Sequence, residues 1–366
     1  RQALRTERGA APEGRRGRSP VTGGKSMNDP LRVAVAYAAF PVQVGNNEET
    51  VSEESVAQMA GQVFDCLKEA GYDPGLIVLE KDVLEFIGRV RDFAPDVLVN
   101  LCESFDGQSK QEANVAGLLE LLDIPFTGNG AAALALCQDK YRAKGLLLAH
   151  GLPTPQAQLV SSPEEEVSVE FPLIVKPNFE DASLGICADS VVSDREGLLR
   201  RVRRVIERYR HPALVESYID GREFNVAVLE NTKVEALPVS EIDYSGLPAD
   251  VPRVLAYAAK WFEDHPLYQK TPPVCPASVE EEEREKLQFL AVTAFKVMGC
   301  RDYARVDFRM DAEGRVYILE VNPNPDISTD AGYFRALKAA GISYAEFWGT
   351  MIRNAAGRKK GRDQAD

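Results

Sequence analysis

The sequence has no apolar run approaching the roughly eighteen residues that a membrane span requires, so no membrane partner is expected. Histidine is scarce. The three present, His150, His211 and His265, stand at no metal-ligand spacing from one another, which argues against histidine-based catalysis. The six cysteines contain no Cys-x-x-Cys pair and read as free thiols in a reducing compartment, with the cytoplasm as the expected location. Positive charge is also in deficit: 43 Lys and Arg against 56 Asp and Glu leave a net charge of −13, and a phosphate backbone is held by the opposite balance. No nucleic-acid partner is expected.

What is present is an ordinary globular composition, 45% apolar and 27% charged, in a chain of 366 residues that is long enough for two or three domains. Residues 1–26 are rich in Arg, Gly and Pro and nearly devoid of aliphatic side chains. They read as a disordered extension or an upstream-start artefact outside the fold, with a transit peptide as the alternative. Gly24-Lys25-Ser26 imitates the end of a P-loop, but Ser19 stands where the motif needs Gly, and no strand precedes it.

From Leu31 strand-like and helix-like segments alternate: a strand at 31–37, a helix at 51–70, a strand at 75–80, a helix at 83–93 and a strand at 96–101. That order predicts a parallel sheet with ligands beyond the carboxyl ends of its strands. A smaller α+β unit follows, with strands at 157–160, 173–177, 186–192 and 213–219 and a helix at 194–210. The arginines of that helix, Arg200, Arg201, Arg203, Arg204 and Arg208, read as a solvated face. Strands at 223–230 and 233–242, a helix at 279–298 and a final hairpin complete the chain.

The hairpin carries the chemistry. Residues 303–310 and 315–322 alternate apolar and polar side chains around Asp311-Ala312-Glu313-Gly314. With a turn centred on Glu313 and Gly314, Asp307 faces Glu320 and Arg305 faces Asn322, so two carboxylates, an amide and a guanidinium converge on one face. Like charges placed opposite each other repel. A hard divalent cation such as Mg²⁺ would resolve the conflict, and a solvated face with ordinary charge pairs is the competing reading. Lys176, at the end of the strand Leu173-Ile174-Val175, precedes a loop of small residues, 180–185, that would let backbone N–H groups approach a phosphate. Strand-end lysines are otherwise commonplace.

These segments resemble the D-alanine:D-alanine ligase family of the ATP-grasp superfamily. The likeness spans Leu31 to about Arg358 and rests on residues 117–128, Asp139-Lys140, Val175-Lys176-Pro177, residues 214–224, Ala304-Arg305-Val306-Asp307-Phe308 and Leu319-Glu320-Val321-Asn322, in the family's order. It implies a mixed α/β and α+β, three-domain ATP-grasp fold. The expected division is an N-terminal Rossmann-like domain at 27–129, a central subdomain at 130–215, a C-terminal subdomain with the magnesium site at 216–358, and a frayed tail at 359–366. The resemblance further implies that Lys140, Lys176 and the loop at Ser183 contact ATP phosphates. Glu216, Ser217, Tyr218 and Ile219 would hold adenine, and Glu223 the ribose. Asp307, Glu320 and Asn322 would bind two Mg²⁺ ions, with Mn²⁺ as a substitute. Lys260 would reach the γ-phosphate, Arg305 would stabilise an oxyanion, and Glu48 would act from the first loop. Homodimer formation is common in that family.

The sequence also departs from the family. Ala182 and Trp261 replace a Ser and a Tyr that, with the Glu48 equivalent, form a linked trio in enzymes joining two D-alanines. Asp326 replaces a Gly, and Ala331 a Ser that addresses the acceptor carboxylate. The expectation is an ATP-dependent carboxylate–amine ligase working on small molecules through an acyl phosphate, with a changed acceptor site; Glu103, Gln108 and Glu112 are donor-side candidates. The alternatives are a true D-alanine:D-alanine ligase and a non-catalytic ATP-binding module.

Overall fold

Short runs rich in Val, Leu and Ala, separated by helices, form the first sheet. The computed structural model describes residues 29–39, 48–181, 183–248, 250–257 and 265–362, with 48–54 and 359–362 as helical backbone only. Strands β1 (Arg32–Ala38), β2 (Asp73–Leu79) and β3 (Val97–Asn100) pair in parallel in the order β2-β1-β3. Helices α1 (Glu48–Glu69) and α2 (Val83–Phe93) make the crossovers. Val33, Ala34, Val35 and Ala36 are fully buried, as expected of a central strand covered on both faces. Asp82 caps α2 by accepting from the amides of Leu84 and Glu85 at 2.8 and 3.2 Å.

Three helices, α3 (Glu112–Leu121), α4 (Ala131–Gln138) and α5 (Lys140–Ala149), lead into a second, antiparallel sheet. It contains β4 (Ala157–Val160), β5 (Leu173–Pro177), β6 (Val191–Val192) and β7 (Ala213–Ser217) in the order β4-β7-β5-β6. Helix α6 (Arg195–Tyr209) lays Leu198, Val202 and Val205 against it.

Two expectations are corrected here. The strand expected over 186–192 shrinks to Val191–Val192, because Ile186 closes a turn onto Ser183 and residues 188–190 form a 3₁₀ turn fixed by Ser190 Oγ accepting from the Cys187 amide. The basic helix is not solvated throughout either, since Arg201 is only 5% exposed and donates to the carbonyl of Gly185 and to Ser190 Oγ.

The third sheet runs β11 (Pro273–Val274), β10 (Ser240–Ile242), β8 (Arg222–Glu230), β12 (Tyr303–Met310), β13 (Val316–Asn322), with β9 (Val234–Ala236) also on β8. One strand was expected over 233–242; it divides around Leu237-Pro238, where proline has no N–H to offer a ladder. Helix α7 (Glu281–Val297) covers one face, packing Leu287, Ala291, Ala294 and Phe295 on Phe224, Val306, Phe308 and Ile318. Helices α8 (Gly332–Ala339) and α9 (Tyr344–Arg362) share a further core with β1, in which Trp348, Met351 and Ile352 join Val33, Val35 and Tyr303. Burying each such large apolar side chain contributes about 1.5–3 kcal/mol. The described residues from Leu31 onward thus form one unit. All six cysteines are free, Cys102 and Cys137 buried and the other four partly so.

A partly buried ion pair ties this unit together. Asp302 is fully buried, accepts from the Gly128 amide at 2.7 Å and pairs with both terminal nitrogens of Arg358 at 2.7 and 2.9 Å. Removing one partner of such a pair strands the other charge, so Arg358→Ala should lower unfolding free energy by about 3 kcal/mol. Urea denaturation followed by circular dichroism measures this, and an unchanged midpoint would contradict it.

Candidate active site

The β12–β13 hairpin places its polar residues as their spacing requires. Asp307 pairs with Glu320 and Arg305 with Asn322. Beyond them the register shifts, so that Phe308 faces Ile318 and Met310 faces Val316, with residues 311–315 connecting the strands. The bulge keeps Val316, Ile318 and Val321 in the core while turning Glu320 and Asn322 to the opposite face.

That face looks into a cavity of about 470 Å³ between the second and third sheets. The cavity walls include Lys176, Ser183, Glu216, Ser217, Tyr218, Ile219, Glu223, Arg305, Asp307, Glu320 and Asp326. Asp307 and Glu320 are 17% and 23% exposed, so the face is not an open solvated one.

The charges interlock. Arg305 grips Asp307 with two bonds of 2.7 and 2.8 Å, and Asn322 Nδ2 donates to Asp307 Oδ2 at 3.0 Å and to Glu320 Oε1 at 3.4 Å. Lys140, buried at the start of α5, pairs with Asp181 at 2.6 Å and with Glu320 at 3.4 Å. Burial alone would raise the Glu320 pKa, but Lys140, Lys176 and Arg305 pull it down to about 2. Burial would likewise lower the Lys140 pKa, and the charges of Asp181 and Glu320 reverse that.

Glu216 is 1% exposed and takes Lys176 on Oε1 at 2.6 Å and Lys144 on Oε2 at 2.8 Å. Its side chain therefore serves the two lysines. Glu223 Oε2 accepts from Tyr244 Oη at 2.7 Å and from Arg309 at 2.6 Å. Ser183 occupies the left-handed region at φ 63°, and Gly185 follows at φ 72°.

The donor-side candidates lie outside the lining of this cavity. Glu112 is 7% exposed and accepts from Asn324 Nδ2 at 2.8 Å, which links α3 to the segment after the hairpin. Burial drives its pKa well above the ordinary carboxylate value; the Asn324 bond opposes the shift, and the charges of Asp181 and Glu103 add to it. Glu103 is half-buried, whereas Gln108 is exposed, with its backbone closing a turn with Phe105 and accepting from the Gln111 amide. Neither Glu103 nor Glu112 lines the cavity. Lys260, Ala182, Trp261 and the side chain of Glu48 lie outside the described residues.

Among the described residues no group of three or more His, Cys, Asp or Glu side chains is arranged to hold a metal ion. The hairpin set has two carboxylates, its third oxygen donor being an amide. Several participants went unread in the sequence. Arg309 shares the strand face of Arg305 and Asp307 by period two, and Lys144 follows Lys140 by one helical turn, so simple periodicity could have found both. Asp181 and Asn324 are brought in only by tertiary packing.

Comparison with known proteins agrees with this geometry. Residues 148–353 match the family model described as the D-ala D-ala ligase C-terminus. A D-alanine–D-alanine ligase of Bordetella petrii is 32% identical over 91% of this chain and 96% of its own length. The chain belongs to the D-alanine–D-alanine ligase family of ATP-grasp enzymes. As a member it is an ATP-grasp ligase, a former of carbon–nitrogen bonds. An uncharacterised protein of Sinorhizobium fredii is 33% identical over 79% of this chain and 84% of its length. The D-alanine–D-alanine ligase of Bacillus anthracis complexed with ATP superposes with a TM-score of 0.71 over 91% of this family member and 99% of that structure, at 22% identity. The Coxiella burnetii ligase gives 0.69 over 92% and 97%, at 20% identity. These likenesses establish the ATP-grasp fold. No described helix is long and apolar enough to cross a membrane.

The Glu216 pairing yields a pH-dependent prediction. Burial would raise its pKa, but Lys144 and Lys176 hold it below the ordinary value, so its stabilisation is complete above about pH 4.3 and is lost as pH falls toward the folded-state pKa. Glu216→Gln should cost about 3 kcal/mol at neutral pH, and the gap to wild type should close in acid. Urea midpoints measured across pH decide this; a gap independent of pH would refute it.

Proposed function

We propose that this ligase uses ATP to phosphorylate a small-molecule carboxylate and then joins it to an amine. The observation that supports this most directly is the single cavity shared by Lys176, the loop at Ser183, the hinge at 217–219 and the carboxylate-bearing hairpin. In this reading adenine would lie at the hinge, ribose at Glu223 and the phosphates near Lys140 and Lys176 in the cavity of about 470 Å³. Asp307, Glu320 and Asn322 offer the all-oxygen donor set that Mg²⁺ prefers, with Mn²⁺ as a substitute, and bound ions would neutralise phosphate charge.

The chemistry follows from the weakness of a carboxylate as electrophile. A carboxylate oxygen attacks the γ-phosphorus and ADP departs. The amine then attacks the acyl carbon, inorganic phosphate leaves, and the amine loses its proton. Positioning and charge neutralisation carry most of the catalysis in phosphoryl transfer. Lys140 and Lys176 provide fixed positive charge, and Arg305, held by Asp307, would stabilise the oxyanion formed as the amine attacks. Lys260 and Glu48 are proposed to act from the segments that bear them, and Glu103 and Glu112 from the donor side.

The acceptor end supports a changed partner. Asp326 and Asp330 line it with Arg335, whose guanidinium donates to the Asp330 carbonyl, and Ala331 at the start of α8 has no hydroxyl to offer. A free amine or cationic acceptor suits Asp326 better than a carboxylate does. The 31–34% identity to relatives named D-alanine–D-alanine ligases favours the second reading, a true D-alanine–D-alanine ligase. The division at 27–129, 130–215 and 216–358, a cytoplasmic location and a homodimer belong to the same proposal.

Mg²⁺-dependent ADP release should appear only when a carboxylate and an amine are supplied together, tested with amino acids, dipeptides and polyamines singly and in pairs. Release with D-alanine alone would establish the second reading, and nucleotide binding without release from any pair would favour a binding module. Asp307→Asn should reduce turnover by about 100-fold or more while leaving the fold intact.

A further inference from the structure

Beside the loop at 183–187 lies a second, smaller cavity, which shares Ile186 with the larger one. Its walls include Arg201, Arg204 and Arg208 of α6, together with Tyr209, Gly185 and Tyr257. Its volume is about 60 Å³. A water-sized oxygen needs roughly 10–15 Å³ on this measure, so the space suits a tetrahedral oxyanion and excludes a nucleotide.

The lining is built for negative charge. Arg201 is 5% exposed, and its partners are the carbonyls of Gly185 and Val175 and the hydroxyl of Ser190. Among the described residues no carboxylate pairs with it. Burying a guanidinium is costly; burial and, after it, the like charge of Arg204 lower the Arg201 pKa, and the nearby Asp189 carboxylate opposes them. Arg204 and Arg208 are exposed and stand three and seven positions after Arg201, which places all three on the same stripe of α6.

We propose that this cavity binds a phosphate dianion, free or as the head of a phosphomonoester, and that the bound anion fixes the loop at 183–187. The connection is short. Arg201 already holds the Gly185 carbonyl, and Tyr209 packs so closely that a Cβ on Gly185 would lie 2.6 Å from its hydroxyl. Ile186 lines both cavities, and its carbonyl accepts from the Tyr257 amide at 3.2 Å. An anion joining the three arginines therefore acts on a loop that also lines the larger cavity, through Ser183 and Ile186. The anion site stands on its own geometry; its coupling to nucleotide rests on the proposed ATP-dependent function.

Titration calorimetry with inorganic phosphate tests the site in wild type, in Lys176→Met, which removes positive charge from the nucleotide cavity, and in the double variant Arg204→Ala/Arg208→Ala. Saturable binding is expected in wild type and Lys176→Met, weakened about tenfold or more in the double variant. Arg204→Glu serves as an independent probe if the double variant does not fold, with the same loss expected. Absence of saturable binding, binding indifferent to the arginine changes, or binding lost in Lys176→Met would each overturn the site. Phenyl phosphate binding as well as inorganic phosphate would assign the site to a phosphomonoester; inorganic phosphate binding alone would assign it to the free ion. Coupling is read separately, as tighter ADP binding in the presence of phosphate, reciprocal by linkage. ADP that fails to bind at all, with phosphate binding intact, would count against the ATP-dependent function and leave the anion site standing.

Discussion

The pairing of β12 with β13 is the constraint on which the site depends. One face of the hairpin must bury Val306, Phe308, Ile318 and Val321 beneath α7, and a slip by one residue would expose that set. The other face must then carry Arg305, Asp307, Arg309, Glu320 and Asn322 together. The bulge beyond Asp307 reconciles the two requirements by changing the phase of β13 between Ile318 and Glu320. Core packing thus sets where the carboxylates point, and the site is as rigid as the core beneath it.

Gathering acidic groups on one face is tolerable only because basic groups arrive from other elements. Lys140 comes from the start of α5, Lys176 from the end of β5 and Arg305 from the hairpin itself. Each is largely buried, so the interactions act where water screens poorly and solvation is lost. Glu216 plays the complementary part, balancing Lys144 and Lys176 at the opposite wall. The result is a cavity lined by both signs of charge, already paired, which an anionic nucleotide and cations could enter by exchange of partners.

Lys176, Ser183, Glu216, Ser217, Tyr218, Ile219 and Glu223 line one cavity, whose far end combines Asp326, Asp330 and Arg335 beside an alanine at the start of α8. The arginine stripe of α6 lies beside the loop at 183–187. There a helix that reads from sequence as a polar surface supplies one largely buried cation.

The sequence by itself determined the parallel N-terminal sheet, the hairpin pairs Asp307–Glu320 and Arg305–Asn322, and the likeness to the ligase family, because periodicity and local motifs are properties of neighbouring residues. It also made Lys140, Lys176 and the hinge at 216–219 recognisable through that likeness. Only the tertiary structure decided that Glu216 would spend its side chain on two lysines, that Asn324 would reach Glu112 across the chain, and that Arg201 would turn inward. Those outcomes depend on which surfaces meet after folding. A side chain's burial and partners are set by elements distant in sequence, and no local pattern carries that information.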